Sequence, residues 1–242
     1  ISVTAGTGSL GVDATDSEDD IIVAAANLTD DETDDEFSLI EQTPPLTNSA
    51  TDAWEVTAEG AGTVTVNDLD ADLDASALAG ALTVNVTGGA DVDIKLNQAN
   101  ADVDTNNTAV TMDAGQMGTA DTLTLTNAGA AGIFNAKDGV TIDGGSGYSG
   151  ALTVKTDALG AGDVVTVVSS SAATRLIGDD GLINVDATAL ADNVALTVEG
   201  DSTVTVTSLQ GDVLAGSSQS VLGLAAGRAV GLYRLSGFWR GH

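Results

Sequence analysis

Asp68, Asp70, Asp72 and Asp74 alternate with Leu69, Ala71 and Leu73. In an extended strand, whose side chains alternate between two faces, this spacing would bring four carboxylates to one side. Calcium would relieve their mutual repulsion, since it takes about six to eight oxygen ligands and carboxylates at strand pitch could supply several. An EF-hand is excluded, because its loop needs Gly at the sixth position and Glu at the twelfth, where Leu73 and Ala79 stand. The simpler reading is a solvated acidic face that keeps the protein soluble. Asp143 is a second candidate ligand, followed by Gly144, Gly145 and Gly147, with Tyr148 beside it.

Other chemistry is narrowly bounded. There is no Cys, and the single His is His242, so thiol nucleophiles, Cys-based zinc sites and CxxC redox pairs are excluded. A Ser-His-Asp triad would have to draw its base from the last residue. Paired-carboxylate glycan chemistry would need a cleft with aromatic platforms, and aromatic residues make up only 3% of the chain. The residues therefore point to a protein that is not an enzyme. With 36 Asp+Glu against 7 Lys+Arg and a net charge of −29, nucleic acid is a poor partner, because phosphate binding requires Lys and Arg.

The elements that carry these residues are read from repeats. Residues 57–66, TAEGAGTVTV, align with residues 197–206, TVEGDSTVTV, and both continue through a Leu (Leu69, Leu209) and an Asp (Asp72, Asp212) at equal spacing. LDASALAGALTV at 73–84 likewise resembles VDATALADNVALTV at 185–198. Relaxed to an apolar residue, Asp and a small residue, this block occurs at Asp13, Asp74, Asp113, Asp143 and Asp186. Strand-like runs then begin at Ile22, Leu82, Leu123, Leu152 and Leu196. Constant phase with variable intervals is what stacked coils with looped insertions leave in a sequence. The recurrent Asp reads either as a ligand on each coil or as a cap whose carboxylate accepts backbone N–H groups at a strand-to-turn corner, and the cap explains the small residue that follows.

Within the runs Val64 and Val66, Leu82 and Val84, Leu123 and Leu125, and Val204 and Val206 alternate with polar residues, the pattern of half-buried strands. Asp74 and Asp186 could each also cap a single helical turn. The fold expected is all-β, an elongated parallel β-solenoid (β-helix) with irregular loop insertions, with tandem β-sandwiches as the alternative. Residues 1–43 read as an N-terminal repeat unit, acidic at 12 of the 29 positions from 13 to 41. Residues 44–55, opening with Pro44-Pro45, read as a linker or long loop, and 56–218 as the β-repeat array. Residues 219–242 form a compositionally distinct tail, native or not. From Val221 to His242 there is no acid and there are three Arg, so this stretch is expected outside the array, poorly packed or helical over Leu222 to Leu235. Its apolar run is too short to span a bilayer. The chain starts with Ile and lacks a signal-peptide pattern, so it is expected to be a segment of a longer protein.

The LDASALAGALTV, TVTV and GGSG elements together resemble the repeat regions of large secreted bacterial surface proteins, the adhesins and surface-layer proteins related to the calcium-dependent repeats-in-toxin group. Asp143-Gly-Gly-Ser-Gly is similar to one turn of the nonapeptide repeat of calcium-binding β-rolls, with Ser149 where that repeat carries its Asp and no second copy following. The resemblance implies export, folding outside the cell, calcium binding, and lateral assembly or attachment. On this reading the chain is an extracellular structural or adhesive segment, and Asp68, Asp70, Asp72, Asp74 and Asp143 are candidate calcium ligands. Its expected partners are neighbouring copies or repeats of the same protein, and cell-surface polysaccharide. A calcium-dependent carbohydrate-binding module is the alternative, with Tyr148 beside Asp143 as its platform, and a polysaccharide-active β-helix enzyme comes behind it.

Overall fold

The computed structural model describes residues 56–69, 71–87, 92–145, 147–156, 159–178 and 180–208 in full, and the backbone of five further strands named below. Strands, numbered along the chain, fall into two sheets. Sheet A stacks β1 (Ser2–Thr4), β3 (Ile21–Ala24), β5 (Val64–Leu69), β7 (Leu82–Val86), β9 (Ala101–Asp104), β11 (Thr122–Thr126), β13 (Thr141–Asp143), β15 (Val164–Val168), β17 (Leu182–Asp186), β19 (Thr203–Thr207) and β21 (Val221–Leu222). Sheet B stacks β2 (Leu10–Ala14), β4 (Val56–Gly60), β6 (Leu73–Leu78), β8 (Val92–Lys95), β10 (Val110–Asp113), β12 (Ala131–Phe134), β14 (Leu152–Thr156), β16 (Thr174–Gly178), β18 (Ala195–Gly200) and β20 (Asp212–Ala215). Of these, β1, β2, β3, β20 and β21 are the strands described by backbone alone.

Odd strands in one sheet and even strands in the other mean that the chain crosses between sheets after every strand, so that one coil is two strands and two corners. Each strand pairs in parallel with the strand two places further on, as in Val84 with Val103 and Leu176 with Val198. This is a parallel β-solenoid. The tandem-sandwich alternative falls, since sandwiches are built from antiparallel hairpins and every described pairing is parallel. Ten steps of about 4.8 Å along sheet A make the stack about 48 Å long.

Alternation in the sequence becomes the wall of the core. In β7, Leu82, Val84 and Val86 point inward and Thr83 and Asn85 outward, and β5, β17 and β19 repeat the pattern. The interior is a double row of Val, Leu, Ile and Ala from the facing sheets, each residue stacked on its equivalent one coil away. Small β-branched side chains suit such a thin, regular core, which explains the scarcity of aromatic residues. From Val56 onward the offset between stacked partners runs from 17 residues, Val56 to Leu73, to 25, Ile142 to Val167, whereas Leu10 pairs with Val56 across a far longer stretch of chain. Strands hold register while corners absorb the difference.

The five aspartate blocks are half-coils rather than coils. Asp74 and Asp113 lie in sheet B and lead to β7 and β11, whereas Asp143 and Asp186 close strands of sheet A and lead to β14 and β18. One motif therefore serves both corners, and this is why its intervals look irregular. The match of 57–66 with 197–206 is the sheet B to sheet A corner of two different coils, where Gly60 and Gly200 take φ of 99° and 86°, a conformation open to glycine. No helix occurs among the described residues, and the stretch expected to form a turn of helix after Asp74 is strand β6.

The strands from residues 1–43 join the array directly, Leu10–Ala14 pairing with Val56–Gly60 and Ile21–Ala24 with Val64–Asn67. At the other end Val221–Leu222 pairs with Val204–Thr205, so pairing runs past the composition change after Ser218. The linker at 44–55, the acidic side chains before it, and residues 223–242 lie outside the described residues.

Candidate functional site at the aspartate corners

Asp143 ends β13, and its Oδ1 accepts the backbone N–H of Gly145 at 2.9 Å, an Asx turn that carries the chain round the corner. Asp113 does the same for Gly115 at 2.8 Å and also accepts from Asn135 Nδ2 at 3.1 Å. Asp186 accepts from Thr188 N at 3.0 Å, and Asp74 from Ser76 N at 3.0 Å. Of the two readings of the recurrent Asp, Asp113, Asp143 and Asp186, each the last residue of its strand, have the geometry of the corner cap, whereas Asp74 and Ser76 both lie within β6, at its register shift against β4. The side chain of the fifth, Asp13, lies outside the described residues.

Tyr148 does not stand beside Asp143 as a platform. It is 1% exposed, and its hydroxyl rests on the carbonyl oxygens of Gly129 and Ala151, the latter at 3.0 Å. Burial drives its pKa well above the ordinary tyrosine value, even against the backbone of Ala131, whose hydrogen bonding favours the charged form. Gly150 next to it has no room for a side chain, because a Cβ there would lie 1.8 Å from the carbonyl oxygen of Gly129 in the preceding coil. The Gly-rich stretch is thus a tight corner, with Tyr148 as a pillar between coils. Trp54 and Trp239 lie outside the described residues.

The Asp68–Asp74 ladder is not one strand. Asp68 has φ of 56° near the end of β5, where the register shifts between the Val66–Val84 and Leu69–Val86 pairs, and the chain turns before β6 begins at Leu73. Positive φ interrupts the extended backbone that a single carboxylate face requires. Asp68 therefore sits on sheet A's side of the corner and Asp72 and Asp74 on sheet B's, while Asp70 lies outside the described residues. Asp72 Oδ1 accepts the N–H of Asp93 at 2.9 Å, tying one coil to the next. Asp74 Oδ2 meets Lys95 Nζ at 3.1 Å. Partial burial alone would raise the Asp74 pKa, but the Ser76 hydroxyl and N–H and the Lys95 ammonium together outweigh it and hold the carboxyl below its ordinary value. Among the described residues, no three His, Cys, Asp or Glu side chains gather closely enough to hold a metal ion.

Three further carboxylates act as corner caps. Asp104 accepts from Asn106 N at 3.0 Å, Asp121 from Gly118 N at 2.7 Å and Asp163 from Gly160 N at 2.8 Å. The last two share a Gly-x-x-Asp spacing that a search for it would find in the sequence.

The outer faces differ. One register row across sheet A runs Thr65, Thr83, Asp102, Thr124, Asp143, Val168, Asp186, Thr207. All are short side chains, so this face is flat. Sheet B carries outward Lys95, Lys155 and Arg175, and Arg175 grips Glu199 with Nε–Oε1 at 3.0 Å and Nη2–Oε2 at 2.6 Å. Comparison with protein-family models, curated proteins and solved structures returns no match.

Proposed function

We propose that the chain is a rigid structural or adhesive segment of an extracellular surface protein, part of a surface layer, filament or adhesin stalk. The observation that carries the reading is the use of the recurrent carboxylates: at Asp113, Asp143 and Asp186 they hold corners of a continuous parallel stack, and at Asp74 the register shift within β6. A stack of coils with a flat polar face suits spacing and lateral contact better than turnover. Neighbouring copies or repeats of the same protein are the proposed partners, with cell-surface polysaccharide as a surface to be held. Calcium is proposed to stabilise the segment, with the acidic faces as its place of action. Burial of Tyr148 removes the platform on which the carbohydrate-module alternative depended.

The test combines solution scattering with a glycan survey on the purified chain. A rod of about 48 Å or longer, about two sheets thick, with no glycan turned over and none bound saturably, is the expected result. Hydrolysis or lysis of any acidic or neutral glycan would overturn the structural reading. Saturable binding of one glycan would move the chain to the module class.

A further inference from the structure

A buried hydroxyl that finds no partner bears the cost of leaving water with nothing to offset it. Among the described residues four buried side-chain polar atoms lack a hydrogen-bond partner, and three of them, Thr156 Oγ1, Ser169 Oγ and Thr174 Oγ1, belong to the coil β14–β15–β16. The fourth is Asn97 Oδ1, whose side-chain nitrogen is used on the carbonyls of Gly80 and Asn100. Thr156 and Ser169 are 0% exposed and Thr174 1%, so bulk water does not reach them.

Their places in the stack explain why no partner is at hand. Thr174 lies between Leu152 and Leu196 in one inward row, an aliphatic environment along the rod. Ser169 follows Val168, whose partner Asp186 precedes the buried Ala187. Thr156 pairs with Gly178, and a Cβ at Gly178 would fall 2.1 Å from Ser202 Oγ and 3.0 Å from Thr156 Oγ1. Two hydroxyls thus share the space over Gly178. Ser202 is relieved by donating to Asp180 O at 2.6 Å, whereas Thr156 is not. By contrast, the inward side chains of β6 and β7, Leu73, Ala75, Leu78, Leu82, Val84 and Val86, are all apolar.

In a stack where each coil touches only its neighbours, stability is a sum of coil and interface contributions, and opening begins where that sum is smallest. We infer that the stretch β14–β15–β16 is where the interior of the rod opens first, a parting point between the coils before it and those after it. Together the unpaired hydroxyls raise the open population by at least about tenfold, or about 1.4 kcal/mol. Under tension the stalk would part here, and that mechanical consequence rests on the proposed function. Thermal opening at this coil does not.

Native-state hydrogen exchange on the full chain, read peptide by peptide, tests the inference. Amides of β14–β16 are expected to exchange at least about tenfold faster than those of β6 and β7. The triple variant Thr156→Val, Ser169→Ala, Thr174→Val should slow them by about tenfold or more, because apolar groups of similar shape remove the unpaired hydroxyls. Equal protection of the two regions would overturn the inference. So would faster exchange in the variant, the result expected if internal water already satisfies these groups. Should the triple variant not fold, Ser169→Ala alone is expected to slow exchange severalfold, and no slowing would refute the proposal. Glycan turnover would sink the stalk reading while leaving this exchange pattern intact.

Discussion

Replacing Gly150 with alanine should unfasten one interface between coils. The new Cβ would stand 1.8 Å from Gly129 O, 2.7 Å from Gly129 C and 2.6 Å from the Tyr148 hydroxyl, against an ordinary contact of about 3.4–4 Å. Two of these three atoms are backbone of the preceding coil, and the third is the hydroxyl that bonds to that same carbonyl, so no flexible side chain can swing away. Relief requires a separation of more than about 1 Å between strands about 4.8 Å apart. Overpacking of this kind costs about 1–3 kcal/mol, and loss of the Tyr148 hydrogen bond adds about 1 kcal/mol. A total of about 2–4 kcal/mol corresponds to a fall in melting temperature of roughly 4–16 °C for a chain of this size. Gly147→Ala in the same corner is the control: the nearest atom to its added Cβ is Thr126 Cγ2 at 3.6 Å, so stability should stay within about 0.5 kcal/mol of the parent. Thermal melts followed by circular dichroism decide the matter, and indistinguishable melting temperatures for the two variants would refute the account of the corner.

Tyr148→Phe should destabilise by about 1–2 kcal/mol in urea titration, because it leaves Gly129 O without its hydroxyl partner; no change would show that the pillar acts by packing alone. The Asp74 carboxyl has a folded pKa below its ordinary value of 3.8, so its contribution is fully present above pH 3.8 and is lost as pH falls through the lower folded value. The stability difference between parent and Asp74→Asn should therefore shrink on acidification from pH 5 to pH 2, and a constant difference would count against the Ser76 and Lys95 bonds. With a net charge of −29, the fold should be weakest in dilute, metal-free buffer, where the screening length is about 30 Å rather than about 8 Å. If calcium ligates, millimolar calcium should raise the melting temperature beyond sodium of matched ionic strength, and Asp70→Asn with Asp72→Asn should abolish the excess. Equal melting temperatures in the two salts would leave screening as the whole effect.

Strand alternation at Val64/Val66, Leu82/Val84 and Val204/Val206 made the half-buried strands and their stacking readable, since inward and outward positions follow directly from a period of two. Coil count was hidden, because Asp113 and Asp143 head the same motif at opposite corners and nothing local distinguishes the two sheets. The carboxylate ladder breaks for a conformational reason: residue alternation continues through Asp68, while its positive φ, which turns the chain, leaves no trace in the pattern. The role of Tyr148 is not legible in the sequence, because its partner Gly129 comes from the preceding coil, a contact that exists only once stacking fixes the register. Composition alone does not report such contacts between coils.

Coil length bears on reach. From Val56 onward each coil consumes 17 to 25 residues and advances the stack by one strand spacing, so the rod there gains only about 0.2–0.3 Å per residue. A single α-helix gains about 1.5 Å per residue. Chain length is converted here into girth, with two hydrogen-bonded walls where a helix has one thread. Because a coil offers equivalent inward rows above and below, adding or deleting one leaves the remaining interfaces of the same kind. Rod length can then change in graduations of about 4.8 Å, like marks on a ruler, and a reach of several hundred ångströms would call for well over a thousand residues.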